Sequence, residues 1–353
     1  MPEEVAERYS DQRLKANFFA TVLFDNRLDF TSEEIIAAAQ EDFPALDWSY
    51  NFVMPGLHSS KPEVLLSPIN GNGWIGNVAR MPGPFVGTKA YMEDCTAQGI
   101  VRSHIIDEDG YKRLLHTSRL VFPEADGAVQ RSVEHLDVSA WSTDELPADE
   151  DQRLAHRFRE ARRMTCLSAV FAKLPIATAV YLPSADLLIK PEEWVRAATQ
   201  ALMEEWPFES WIQFDVQKGA VESGPVLNSA STIGMAAFNG HELYLDYCAL
   251  DAKQAATQVW GAAWLLLAGG NRFKDGDTIG FEEDSLKLRM RHCVEGQFGA
   301  QTDRWILFHP EGYRKDTDMF GETESQPPPP GVDNSIRPKE SFLSRILGSK
   351  RRG

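Results

Sequence analysis

The stretch Leu243–Phe281 constrains the fold more than any other part of the chain. It reads as a strand (ELYLDYCAL), a helix apolar through its middle (DAKQAATQVWGAAWLLLAGG) and a tight polar turn (KDGDTIGF). Asp251 is a good N-cap, and Gly269–Gly270 a good C-terminal stop. Between them Ala255, Val259, Ala262, Ala263, Leu266 and Leu267 recur at helical spacing, with Trp260 and Trp264 adding bulk. The first turns keep Lys253, Gln254, Thr257 and Gln258, and the unbroken apolar run is far short of the ~18 residues of a membrane span. A helix this apolar packs inside a domain, against a sheet. Alternation along the preceding strand puts Glu242, Tyr244 and Asp246 on one face and Leu243, Leu245 and Tyr247 on the other. The apolar face is expected to meet the helix, and the acidic face to be wet or to meet a cation or a basic partner.

Working outward from this stretch, the chain divides by composition. Residues 1–15 form a charged arm without the apolar core of a signal peptide. Residues 16–138 read as strand, helix, strand, strand, helix, strand: NFFATVLF, FTSEEIIAAAQEDFP, WSYNFVM, EVLLSPIN, TKAYMEDCTAQ and GIVRSHIIDE. The order is that of a split β-α-β, ferredoxin-like unit. The segment Tyr111–Asp137 shows no clear pattern. Residues 139–152, acidic and containing proline, read as a linker. Residues 153–315 begin with a helix over Asp151–Lys173 and repeat the theme. ATAVYLP, SWIQFDV, LKLRMRHCVEG and DRWILFHP read as strands, and KPEEWVRAATQALMEEWP as a helix with Pro191 in its first turn. STIGMAAFNGHELYLDY reads as a hairpin turning at Asn239–Gly240. The expected class is therefore α+β, two ferredoxin-like halves with mainly antiparallel sheets. Ala20, Leu23, Glu33, Glu34, Ala38 and Ala39 fall without a gap on Ala179, Leu182, Glu192, Glu193, Ala197 and Ala198. That suggests an internal duplication; two unrelated β-α units are the alternative.

Residues 316–353 combine a Pro-rich linker (ETESQPPPPGVDNS) with a basic amphipathic tail. In the tail Phe342, Leu343, Ile346 and Leu347 share a helical face, and Arg345 adds positive charge beside Lys350, Arg351 and Arg352. Such a segment can touch an anionic membrane or dock on a partner.

Charge and motifs exclude several function classes. A formal net charge of −16 over 353 residues disfavours nucleic-acid binding, because the phosphate backbone repels it. The four cysteines are scattered without a C-x-x-C pair, as in a reducing cytoplasm. Gly71, Gly73 and Gly76 spell a G-x-G-x-x-G, but NVARMPGPF follows, and Pro82 and Pro84 forbid the helix a dinucleotide site needs. Asp275-Gly-Asp277-Thr278 lacks the apolar strand and the spacer of an aspartate-nucleophile phosphatase, so it reads as a turn. No pair of histidines has the H-x-x-x-H or H-x-H spacing of a metal site, and no metal or cofactor is expected. A nucleophile pair of Cys248 and His292 could assemble only in space.

With these residues in view, the second half resembles the bacterial family catalogued as domain of unknown function 4261. The resemblance rests on STIGM…F…HELYLDY, WGAAWLLLAGG and DGDTIGF, with MPGPF, ATAVYLP and WIQFDVQKG upstream. Between Tyr91 and Arg163 the chain departs from the family, which carries a tryptophan-containing helix and a His-containing strand there. The resemblance implies a fold and no catalytic residue.

The residues point first to a noncatalytic cytoplasmic binding or adaptor protein, immunity-like in kind, that recognises a protein partner through Glu242, Asp246, Asp275, Asp277 and His292. A hydrolase-like enzyme needs Asp275, Asp277, Glu242 and His292 to converge in one cleft between the halves. Peripheral membrane attachment through the tail is the third expectation.

Overall fold

The computed structural model describes residues 18–28, 32–44, 50–52, 64–70, 74–82, 85–86, 106, 108–118, 121–142, 147–219, 227–269, 273–280, 287–293 and 304–308. It is α+β with mainly antiparallel sheets. Two compact units, Met1–Gln213 and Phe214–Gly353, divide the chain.

In the first unit the described elements are β1 (Phe19–Phe24), α1 (Ser32–Asp42), β2 (Tyr50–Phe52), β3 (Val64–Asn70), β4 (Trp74–Pro82), α2 (Glu108–Ser118), α3 (Ala125–Gln130), β5 (Glu134–Ser142), α4 (Glu150–Ala172), β6 (Ala177–Leu182), β7 (Leu187–Ile189), α5 (Pro191–Leu202) and α6 (Phe208–Trp211). The strands form one sheet in the order β2-β3-β4-β5-β1-β6-β7. β1 is central and buried, as its sequence FATVLF requires. β5 and β6 both run antiparallel to it, so they are parallel to each other, and α4 connects them. This is a split β-α-β arrangement with β1 in the gap.

α4 starts where Asp149 accepts a hydrogen bond from the Gln152 backbone N–H at 3.0 Å, satisfying a donor the helix itself cannot. Its buried face carries hydroxyls as well as apolar groups. Ser168 Oγ accepts from Trp194 Nε1 at 2.8 Å, and Thr165 Oγ1 from Trp211 Nε1 at 2.9 Å. Each hydroxyl in turn donates to a carbonyl of α4 one turn back. Two large indoles are thereby buried without leaving an N–H unsatisfied.

The second unit holds β8 (Gln213–Gly219), β9 (Leu227–Ile233), α7 (Ala236–Asn239), β10 (Glu242–Cys248), α8 (Ala252–Leu267), β11 (Thr278–Ile279), β12 (Leu288–Cys293) and β13 (Arg304–Phe308). The sheet order is β11-β12-β13-β10-β9-β8. The last strand, β13, enters between β12 and β10 and runs parallel to β10. α8 packs on β9 and β10 through Ala255, Val259, Ala262, Ala263, Leu266 and Leu267. Asp251 and Gln254 close its first turn as a reciprocal capping box.

Several expectations change. The division falls after Gln213, not in 139–152. That segment holds the end of β5 and the start of α4, both in the first unit. The strand ATAVYLP, read as the first strand of a second half, is β6 and lies beside β1, with Leu23 opposite Ala179. The two strands matched as copies are thus neighbours in one sheet. Hydrogen-bonded pairing between residues 153 or more apart is invisible to a reading by local period. Tyr111–Asp137, which showed no clear pattern, holds most of α2, all of α3 and the start of β5. The glycine-rich G-x-G-x-x-G does not open a helix: β3 and β4 pair antiparallel on either side of 71–73, and Gly76 lies within β4. The STIGMAAFNG hairpin does not turn on Asn239–Gly240 alone. The short helix α7 intervenes, and Gly240 ends it at φ +82°, where a side chain would be strained. Part of SWIQFDV forms the helical turn α6. Among the described residues no helix is long and apolar enough to cross a membrane. The helix expected at TKAYMEDCTAQ, and the tail with Phe342, Leu343, Arg345, Ile346 and Leu347, lie outside the described residues.

Candidate functional site

The acidic residues singled out on β10 serve the backbone. Glu242 reaches back to the turn that precedes its own strand. Its Oε1 accepts from Gly234 N at 2.8 Å and Ala236 N at 3.1 Å, and its Oε2 from Met235 N at 3.2 Å and Thr232 Oγ1 at 2.6 Å. Successive amides at the start of a helical turn make an anion nest, and here the chain fills it with its own carboxylate. Burial pushes the Glu242 carboxyl above its usual range, while the Thr232 hydroxyl and the three amides pull it back. Asp246 accepts from the Tyr247 backbone N–H at 2.9 Å. Burial also raises its carboxyl, against the Tyr247 amide and the Arg304 guanidinium. Arg304 lies over the Tyr244 ring, 5.2 Å from its centroid.

The Asp-Gly-Asp bend reverses the chain, as its sequence suggests. Asp277 Oδ2 accepts from Lys274 N at 2.7 Å, and Gly276 sits at φ +89°. Gly276 N donates to Met290 O, and Met290 N to Asp277 O, which clips the bend to β12. Asp275 Oδ1 accepts from the backbone N–H of His292 at 3.2 Å.

Glu242 and His292 do not share a face. In the ladder Glu242 lies opposite Arg304 and Arg304 opposite Cys293, whereas His292 lies opposite Trp305. Adjacent residues of a strand point to opposite sides, so the four groups of the hydrolase expectation do not converge. The Cys248–His292 pairing also fails. The ladder aligns His292 through Trp305 with Leu243, five residues and so about 16 Å of strand from Cys248. The Cys248 thiol, buried and donating toward Asn228 O, is pushed up to about 11 by burial.

What the structure does bring together is a pair that spacing along the chain hides. His241, just ahead of β10, meets His292 of β12: the two Nε2 atoms are 3.1 Å apart and the rings 5.0 Å apart between centroids. His241 Nδ1 lies 2.9 Å from the carbonyl oxygen of Asn239. A carbonyl only accepts, so Nδ1 carries the hydrogen and Nε2 offers its lone pair to His292 Nε2–H. The Trp305 ring lies alongside, with centroids 4.9 Å from His292 and 6.1 Å from His241, and Phe273 meets Trp305 edge-on at 6.3 Å. The histidines are 51 residues apart. Only the insertion of β13 between their strands sets the register that joins them.

Residues 231–299 match the family model described as Domain of unknown function (DUF4261). The matched segment runs from the end of β9 past β12 and carries the histidine pair, Glu242 with its nest, α8 and the Asp-Gly-Asp bend; Trp305 lies beyond it. No curated protein and no solved structure matches the chain.

The first unit carries a surface cavity of about 350 Å³ lined in part by Asp25, Glu124, Arg131 and Lys190. Lys190 Nζ pairs with Glu124 at 3.1 Å and lies 5.6 Å over the Phe122 ring. None of the candidate binding or catalytic residues read from the sequence lines it.

Proposed function

We propose that this protein is a noncatalytic binding protein of a reducing, cytoplasmic compartment that recognises a basic protein partner through the outer face of α8. One observation carries the reading. Besides its buried face, α8 has a second apolar stripe of Gly261, Trp264, Leu265 and Ala268 at helical spacing, and Trp264 on it is 44 % exposed. An apolar stripe on both sides of one helix suits a surface that is covered part of the time. Tryptophan is also among the residues that most often anchor protein interfaces.

Three further features support the reading. The carboxylates on β10 and in the bend hold backbone amides, which leaves them in structural roles. The net charge of −16 favours encounter with a positively charged surface. Cys166, Cys248 and Cys293 are buried free thiols, in keeping with a reducing compartment.

The test is affinity capture from native host extract with tagged wild type and with Trp264→Glu, at low and high salt. A reproducible partner is expected with wild type, weakened by salt and lost with Trp264→Glu while the melting temperature holds. Equal recovery by both proteins, or turnover of a small molecule without any partner, would sink the proposal.

A further inference from the structure

We propose that His241 and His292 are the two protein ligands of a site for a divalent transition-metal ion of the zinc and nickel class. Neither the family match nor the partner reading assigns such a site, and it stands independently of both. Four observations lead to it.

The first is the bite. Two imidazole nitrogens bound to one tetrahedral ion at about 2.0–2.1 Å lie roughly 3.3 Å apart. The Nε2 atoms of His241 and His292 are 3.1 Å apart, so to share an ion the rings must part by a few tenths of an ångström and turn until both lone pairs meet off the line that joins them.

The second is the tautomer. Histidines that bind metal through Nε2 are held by an Nδ1–H donated to a carbonyl or carboxylate. His241 Nδ1 has that partner in Asn239 O at 2.9 Å. The residue is clamped again from its backbone, since its N–H donates to Asn239 Oδ1 at 3.1 Å. Its Nε2 lone pair is thereby aimed before any ion arrives.

The third is the wall. Trp305 lies against both imidazoles, and Phe273 backs Trp305. An aromatic wall restricts ring rotation and lowers the entropy lost when both nitrogens are fixed on an ion.

The fourth is the choice of ion. Two neutral imidazoles suit zinc, nickel and copper(II) rather than calcium or magnesium, which take oxygen ligands. Among the described residues no group of three or more His, Cys, Asp or Glu side chains is placed to hold a metal, so the described part of the site offers the two imidazoles alone. The ion would displace the hydrogen between the two Nε2 atoms, and His292 would carry it on Nδ1 instead. No net proton is released from the neutral pair.

The experiment uses the full chain, stripped with chelator, and zinc or nickel ions alone. Calorimetric titration with zinc is expected to show one site, and nickel to quench tryptophan emission through Trp305. His241→Gln and His292→Gln should each weaken zinc binding at least tenfold, and His116→Gln should leave it unchanged. If the variants fail to fold, nitrogen chemical shifts of the wild-type histidines decide: zinc must move Nε2 of both His241 and His292. Absence of binding, binding retained in the His241→Gln/His292→Gln protein, or shifts confined to other histidines would overturn the proposal.

Discussion

His241 Nε2 lies 3.1 Å from His292 Nε2, and the Asn239 carbonyl on the far side of the His241 ring decides which nitrogen carries hydrogen. The arrangement has a direct spectroscopic consequence in metal-free protein near neutral pH. His241 is expected as the Nδ1–H tautomer and His292 as the Nε2–H tautomer. Long-range proton–nitrogen correlation spectra check this; two Nε2–H histidines would contradict the geometry.

Glu242 ties the β9–β10 connection together by accepting four hydrogen bonds from it. Glu242→Gln keeps the shape but turns an NH2 group toward backbone N–H donors, leaving donors unsatisfied. The expected loss is about 1–3 kcal/mol in urea denaturation. A loss below about 0.5 kcal/mol would mean that water, not Glu242, satisfies those amides.

Trp260 and Trp264 sit one turn apart on α8 and should respond oppositely. Trp260 is 9 % exposed and packs edge-on to Phe214 at 4.8 Å. Trp260→Ala should cost about 3–5 kcal/mol, the range for a truncated buried aromatic. Trp264→Ala should change stability by less than about 1 kcal/mol, and acrylamide should quench Trp264 well before Trp260. Equal costs would place the stripe inside the protein and remove the proposed docking face.

Cys248 makes the alkaline limb of stability steeper. Below the ordinary thiol value of 9.0 both folded and unfolded chains hold the proton, and the thiol contributes fully. Above it the unfolded chain releases the proton, while the folded chain keeps it until about 11. Stability therefore falls as pH rises from about 9 to about 11, by at most roughly 3 kcal/mol from this group. Denaturation curves of wild type and Cys248→Ala between pH 8 and 11 measure it. The variant should show the shallower fall, and parallel curves would contradict the burial of the thiol.

Much of the second unit was legible in its residues. Asp251 announces the start of α8, its apolar stripe announces the buried face, and Lys274–Asp277 announces a bend. Each depends on contacts within a few residues, so local chemistry decides it. The same reasoning went wrong where partners are distant. Trp264 has the hydrophobicity of a core residue yet sits on the outer side of α8, because helical phase, not residue type, assigns the face. Glu242 was read as a binding carboxylate, and its four donors, on Thr232–Ala236, come into reach only through the turn that joins β9 to β10.

The amino-acid sequence by itself settled the α+β class, many of the elements of the second unit and the segment that resembles DUF4261. Tertiary structure alone decided that β6 pairs with β1, that β13 slides in beside β10, and that His241 meets His292 in consequence. The reason is the range of the forces concerned. Helical period, caps and turns act within one or two turns of chain, whereas strand order is chosen by the burial and hydrogen bonding of whole sheets, which no single stretch encodes.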